Sequence, residues 1–128
     1  MVVLDAWALL AFLRDEPAAG RVETEWLARG AAICAVNLGE ALYMRIREHG
    51  PDGAHAEVAT IRGRAEIIDA DWELVRAAAA VKAGGGLSYA DAFCLATAAR
   101  LAAPLLTGDP EFVGLGADHG VDVVDLRA

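Results

Sequence analysis

The sequence predicts an α/β fold: a single-domain three-layer sandwich over residues 1–128, with a five-stranded parallel sheet covered by helices on both faces. Three observations predict it. Short apolar runs of strand length alternate with longer segments whose apolar residues recur at helical spacing. The chain, 128 residues and 56% hydrophobic, suits one buried core and excludes general disorder. No repeat, low-complexity linker or composition shift marks a domain boundary.

The first run, Val2 to Leu4, reads as a short buried strand, and Ala6 to Arg14 as a helix stopped near Pro17. Ala18 to Arg29 reads as a second helix with Val22, Trp26 and Leu27 on one face and Gly30 at its C-terminus. Ala31 to Val36 is the second strand. Asn37 is placed to cap a helix running to His49. Asp52 to Arg64 is helical, weakened at Gly63, and Ala65 to Ile68 is the third strand. Asp71 caps a helix through Lys82 that ends at Gly84-Gly85-Gly86, and Ser88 caps another from Tyr89 to Leu101. Pro104 to Thr107 and Val121 to Val124 are the fourth and fifth strands.

Composition narrows the function classes. A net charge of −8 opposes open nucleic-acid binding, which needs a basic footprint, but not an enzyme whose acids hold metal. It also suits a chain that works beside a basic partner. No apolar run is long enough to span a membrane, and the N-terminus lacks a basic segment before its apolar run, which opposes a signal peptide. Cys34 and Cys94 lie far apart in apolar segments and read as buried reduced thiols of a cytoplasmic protein. His49, His55 and His119 lack the spacing of a zinc site.

Four acids stand where the apolar segments begin or end: Asp5, Glu40, Asp91 and Asp109. A carboxylate beside a core is costly unless paired, hydrogen-bonded or bound to a cation. Cations are few, since Lys82 is the only lysine and no arginine adjoins any of the four in sequence. Oxygen ligands suit Mg²⁺ or Mn²⁺, so the cluster predicts a metal-dependent phosphodiesterase. In parallel sheets, ligands bind outside the carboxyl ends of the strands, where Asp5 and Asp109 fall. Glu40 and Asp91 are expected in first helical turns.

Each acid also has a structural reading. Glu40 follows Asn37 by three and Asp91 follows Ser88 by three, the spacing of a capping box. Asp109 suits a turn before Pro110. Asp5, at a strand end, is expected to have no capping role. Thr107 is expected to orient a neighbouring carboxylate from behind it. Trp7 and Trp26 are expected in the core or an interface; Arg45 and Arg47, which follow Glu40 in its helix, could meet phosphates, with a solvated face as the default expectation.

Val-Val-Leu-Asp5-Ala-Trp-Ala-Leu-Leu, Val-Asn-Leu-Gly-Glu40, Leu-Ser-Tyr-Ala-Asp91-Ala and Leu-Leu-Thr107-Gly-Asp109-Pro-Glu-Phe112 resemble the PIN-domain ribonucleases. The resemblance is closest to the VapC-like toxins of bacterial toxin–antitoxin pairs and runs from Val2 to about Val124. It implies a PIN-like sheet and RNA hydrolysis with Mg²⁺ or Mn²⁺ held by Asp5, Glu40, Asp91 and Asp109, leaving 5′-phosphate and 3′-hydroxyl ends. It also implies an antitoxin partner that occupies the active site, and a homodimer beneath that complex. The sequence departs from the common pattern at Trp7, where a serine is usual; the role of that hydroxyl is then either empty or taken by Thr107.

The main rival is a response-receiver-like signalling module, for which Asp5, Asp69 and Thr107 would be the site. Against it, Asp125-Leu126-Arg127 stands where such a module wants a lysine. A catalytically inactive interaction domain is a second rival. A dinucleotide site is weak, because the glycine run follows a helix.

Overall fold

The computed structural model describes residues 1–127. Five parallel strands form the sheet: β1 (Val2–Leu4), β2 (Ala31–Cys34), β3 (Glu66–Ile68), β4 (Leu105–Thr107) and β5 (Val123–Asp125), in spatial order β3-β2-β1-β4-β5. β1 is central. Val3 pairs with Ala32 on one side and Leu105 on the other. The three inner strands are wholly buried, so they read as continuous apolar runs, whereas edge strands β3 and β5 admit Glu66 and Asp125.

The pleat splits the core into two layers. Val2, Leu4, Ile33 and Leu106 face α1 (Ala6–Leu13), α2 (Ala19–Arg29), α3 (Ala35–His49) and α4 (Pro51–Arg62). Val3, Cys34 and Leu105 face α5 (Trp72–Ala83), α6 (Tyr89–Leu101) and α7 (Pro110–Asp118). The chain builds outward from β1 through β2 to β3, then crosses to β4 and β5. The order therefore reverses between β1 and β4, and the crevice beyond their carboxyl ends is the topological switch point. The strand order also removes the response-receiver reading, whose fold runs 2-1-3-4-5. Asp69 lies beyond edge strand β3, away from β1.

Two expectations need correction. The second strand ends at Cys34 rather than Val36, and α3 begins at Ala35. Cys34 takes the extended N-cap conformation, so Asn37 lies inside the helix and caps nothing. Secondly, α7 was not foreseen. Its start is written as Asp109 at the N-cap and Pro110 in the first turn, but Gly114 and Gly116 within it imitate a loop. One of those glycines has a packing reason. A Cβ on Gly116 would lie 2.3 Å from Val123 Cγ2 and 2.9 Å from the Val121 carbonyl oxygen, whereas one on Gly114 would meet nothing within 4 Å.

The same substitution should therefore act with opposite sign two residues apart. Gly114→Ala should stabilise by about 0.5–1 kcal/mol through helix propensity and reduced freedom of the unfolded chain. Gly116→Ala should destabilise by about 1–3 kcal/mol through overpacking against β5. Urea unfolding of the two variants checks this, and equal shifts of the same sign would refute the packing account.

Candidate active site

The switch-point crevice is a cleft of about 330 Å³. Its lining includes Asp5, Glu16, Glu40, Asp91 and Asp109, with Trp7, Arg14 and Ser88 among the other wall residues. The four sequence-predicted acids thus come together from four separate places: the end of β1, α3, the first turn of α6, and the loop after β4. Glu40 sits in the second turn of α3, one turn deeper than expected, because the helix starts at Ala35.

Asp5 is 2% exposed. Its Oδ1 accepts from the Ala8 backbone N–H at 2.7 Å, so it does cap α1, contrary to the expectation for a strand end. Its Oδ2 accepts from the Thr107 hydroxyl. That hydroxyl in turn accepts from the Asp109 backbone N–H at 2.9 Å, which leaves its only proton for Asp5. Burial pushes the Asp5 carboxyl up to about 7. The bonds from Thr107 and Ala8 oppose this shift, and the charges of Asp91 and Asp109 add to it.

Asp91 is raised to about 6, first by burial and then by Glu40, Asp109 and Glu111, against a lowering hydrogen bond with Ser88. Ser88 Oγ accepts from the Asp91 N–H at 3.1 Å and caps α6. Asp109 Oδ1 accepts from Glu111 N–H at 3.0 Å, capping α7. Carboxylate oxygens of Asp91, Asp109 and Glu111 all lie within 4.8 Å of one another. Asp5 and Glu40 stand outside that trio but line the same cleft.

The sequence does not reveal three residues in or beside the cleft. Glu111 was hidden because the helix that carries it was missed. Arg14 adjoins none of the acids in sequence, yet it lines the cleft while pairing with Glu48 and Glu16. Asn37 was read as a cap. Instead its Nδ2 donates to Glu40 Oε1 at 3.0 Å and to the Ala90 carbonyl at 2.9 Å. The visible signal was the three-residue spacing from Asn37 to Glu40, which fits an intrahelical contact as well as a cap. Asn37 is fully buried, and among the described residues its Oδ1 has no donor, a loss of about 1–3 kcal/mol for such a group.

Trp7 lies across the turn between Thr107 and Asp109. A Cβ on Gly108 would fall 2.3 Å from its ring, so the glycine permits the contact. Arg45 is not on a solvated face. It is buried between Glu57 and Glu48, at 3.0 and 2.7 Å. Arg47 lies over the Tyr43 ring. Cys34 and Cys94 are free and buried.

The family model described as PIN domain matches residues 2–117. No curated protein sequence matches the chain. Among solved structures, a toxin–antitoxin complex from Klebsiella pneumoniae is similar at 20% identity and a TM-score of 0.77, over 98% of each chain. A DNA-bound VapBC from Salmonella typhimurium gives 16% identity and a TM-score of 0.75, over 98% of this chain and 99% of that one. VapC20 from Mycobacterium tuberculosis, described as a Sarcin-Ricin loop cleaving toxin, gives 17% identity and a TM-score of 0.72, over 91% of this chain and 95% of that one.

The raised Asp5 carboxyl has a stability consequence. Its folded pKa of about 7 lies above the ordinary aspartate value of 3.8, so the fold favours the protonated form. The contribution is full below about pH 4 and is lost as pH rises through about 7, on the order of 4 kcal/mol for a shift of this size. In metal-free buffer, Asp5→Asn should therefore gain on wild type as pH rises from 5 to 8. Thermal melts at those two pH values test the sign, and a difference that shrinks with rising pH would refute it.

Proposed function

The chain belongs to the PIN-domain family, and on that footing we propose that it is a metal-dependent endoribonuclease, the toxin of a toxin–antitoxin pair. The observation that carries the reading is the convergence of Asp5, Glu40, Asp91 and Asp109 on one cleft at the switch point. The donors fit Mg²⁺ or Mn²⁺: all are hard oxygens, and Asp5 and Asp91 are carboxyls raised first by burial and further by the charges of neighbouring acids. Asp5, Glu40, Asp91 and Asp109 would hold the ion directly or through water, with Glu111 beside Asp91 and Asp109. The ion would supply Lewis-acid activation of water and neutralise charge at the scissile phosphodiester.

The chain's own groups prepare the site. Thr107 and the Ala8 N–H fix both oxygens of Asp5, and the Asp109 N–H fixes Thr107. Arg14 is the arginine that lines the cleft, and it can turn its guanidinium toward an RNA phosphate at the rim. Phosphodiester hydrolysis leaving a 5′-phosphate and a 3′-hydroxyl agrees with the family resemblance.

An antitoxin partner fits two surfaces. The cleft offers acids to Arg or Lys side chains. An apolar groove of about 250 Å³ lies between α2 and α4, lined by Phe12, Leu13, Trp26, Leu27 and Ile61, with Leu27 80% exposed. Two of the similar structures are themselves toxin–antitoxin complexes. A homodimer beneath such a complex and a cytoplasmic location belong to the same proposal. Among the described residues, no helix is long and apolar enough to cross a membrane.

Millimolar Mg²⁺ or Mn²⁺ at constant ionic strength should raise the melting temperature of wild type, with about 2.7 kcal/mol gained at 100 times Kd. Glu40→Gln keeps an oxygen for Asn37 but removes the charge. It should leave metal-free stability near wild type, lose most of the metal-induced rise and cut RNA cleavage by about 100-fold. A wild-type melt unmoved by metal would sink the metal reading. Wild-type cleavage by Glu40→Gln would remove Glu40 from the site.

Purification of the protein expressed from its native operon should yield a complex whose mass exceeds that of this chain by a small antitoxin. A protein that remains a free monomer in that experiment would overturn the toxin assignment while leaving the nuclease intact.

A further inference from the structure

We propose that Asn37 is a positioning residue for the acidic cleft, tethering the Glu40 carboxylate of α3 to the first turn of α6 and so setting its place relative to Asp91. The inference rests on the metal-site reading above and deepens it. The Asn37 amide donates both protons, one to Glu40 Oε1 at 3.0 Å and one to the Ala90 carbonyl at 2.9 Å, one residue before Asp91. Both partners are acceptors, so the nitrogen and not the oxygen must face them. The choice leaves Oδ1 without a donor in a fully buried place, among the described residues. A buried amide that leaves its oxygen unpaired for the sake of two acceptors needs an explanation beyond packing. No helix cap supplies it, because α3 begins two residues earlier at Ala35.

The consequence is geometric. Glu40 has a long flexible side chain, and without the tether it would sample several rotamers. With it, one carboxylate oxygen is held on the α6 side of the cleft, and its charge is felt at Asp91. A ligand held in place before binding loses less freedom when an ion arrives.

The test compares Asn37→Val with Asn37→Thr by Mn²⁺ titration calorimetry of the full chain. The two are near-isosteric and share a β-branched helix cost, but only threonine can donate a bond to Glu40. The Asn37→Val change should raise the Mn²⁺ Kd about tenfold, the size expected for losing a group that orients a ligand, and Asn37→Thr should recover part of it. Melts without metal run alongside. Wild-type Kd in the Asn37→Val protein overturns the proposal. So does a fall in metal-free melting temperature with an unmoved Kd, which would make the tether structural only. If Asn37→Val does not fold, Asn37→Ala, which likewise cannot donate to Glu40, is read by the same Kd criteria. A wild-type protein that itself binds no Mn²⁺ would instead defeat the metal reading on which the proposal stands.

Discussion

The Thr107 hydroxyl donates to Asp5 while accepting from the Asp109 N–H, and this two-bond chain joins the carboxyl ends of β1 and β4. The second Asp5 oxygen holds the first turn of α1. Three elements and the loop to α7 thus meet at one carboxylate that is almost wholly buried. Such a group is tolerable because each oxygen has a donor. It remains costly because burial strips its charge of water, with a smaller push from the charges of Asp91 and Asp109, and its carboxyl is raised to about 7. Gly108 completes the arrangement: with no Cβ, it lets the Trp7 ring lie against the turn between Thr107 and Asp109.

Charge is divided unevenly over the molecule. Away from the cleft, acids and bases pair. Arg45 joins Glu48 of α3 to Glu57 of α4, and the same Glu48 also reaches Arg14, which stands in the cleft wall at the end of α1. Arg100 holds Asp71, so the end of α6 is tied to the start of α5 and the two helices run antiparallel. Apart from those of the buried Arg45, these pairs are partly exposed and add little stability individually. Their effect on the cleft is indirect. They take up guanidinium groups elsewhere, and the cleft keeps a surplus of carboxylates with Arg14 alone of the arginines in its wall. Mutual repulsion without compensation is a poor way to stabilise a fold and a good way to hold a cation.

The fold was legible because each layer has its own periodicity. Inner strands buried on both faces appear as unbroken apolar runs, and α6 announces itself through Ser88 at its cap and an apolar body to Leu101. The four acids were legible by their place at segment ends. What failed was local. The boundary of β2 was drawn two residues late because Ala35 and Val36 continue an apolar run that suits a strand or a buried helix turn equally. That error turned Asn37 into a cap and moved Glu40 to the wrong turn. The missing α7 hid Glu111, since Gly114 and Gly116 lower helix propensity, and the need for Gly116 appears only once Val123 is packed against it. Arg14 could not be placed at all from sequence, because its nearness to the acids is purely tertiary.

Helix capping and site formation look like alternatives for an acid at a segment end, and at Asp5 and Asp109 the fold makes them the same thing. In a parallel sheet, β1 and β4 release the chain into helices at their carboxyl ends, so helix N-termini gather at the edge where the crevice opens. An N-terminus favours a carboxylate, both through its free N–H groups and through its dipole. Asp5 caps α1 and Asp109 caps α7, and both line the cleft. Asp91 sits in the first turn of α6 with the cap left to Ser88. Glu40 is the exception: it lies too deep in α3 to profit from the helix end, and it is the acid held instead by a side chain, Asn37. A residue placed by the local demands of helix initiation needs no separate device to reach the cleft, whereas one placed a turn later does.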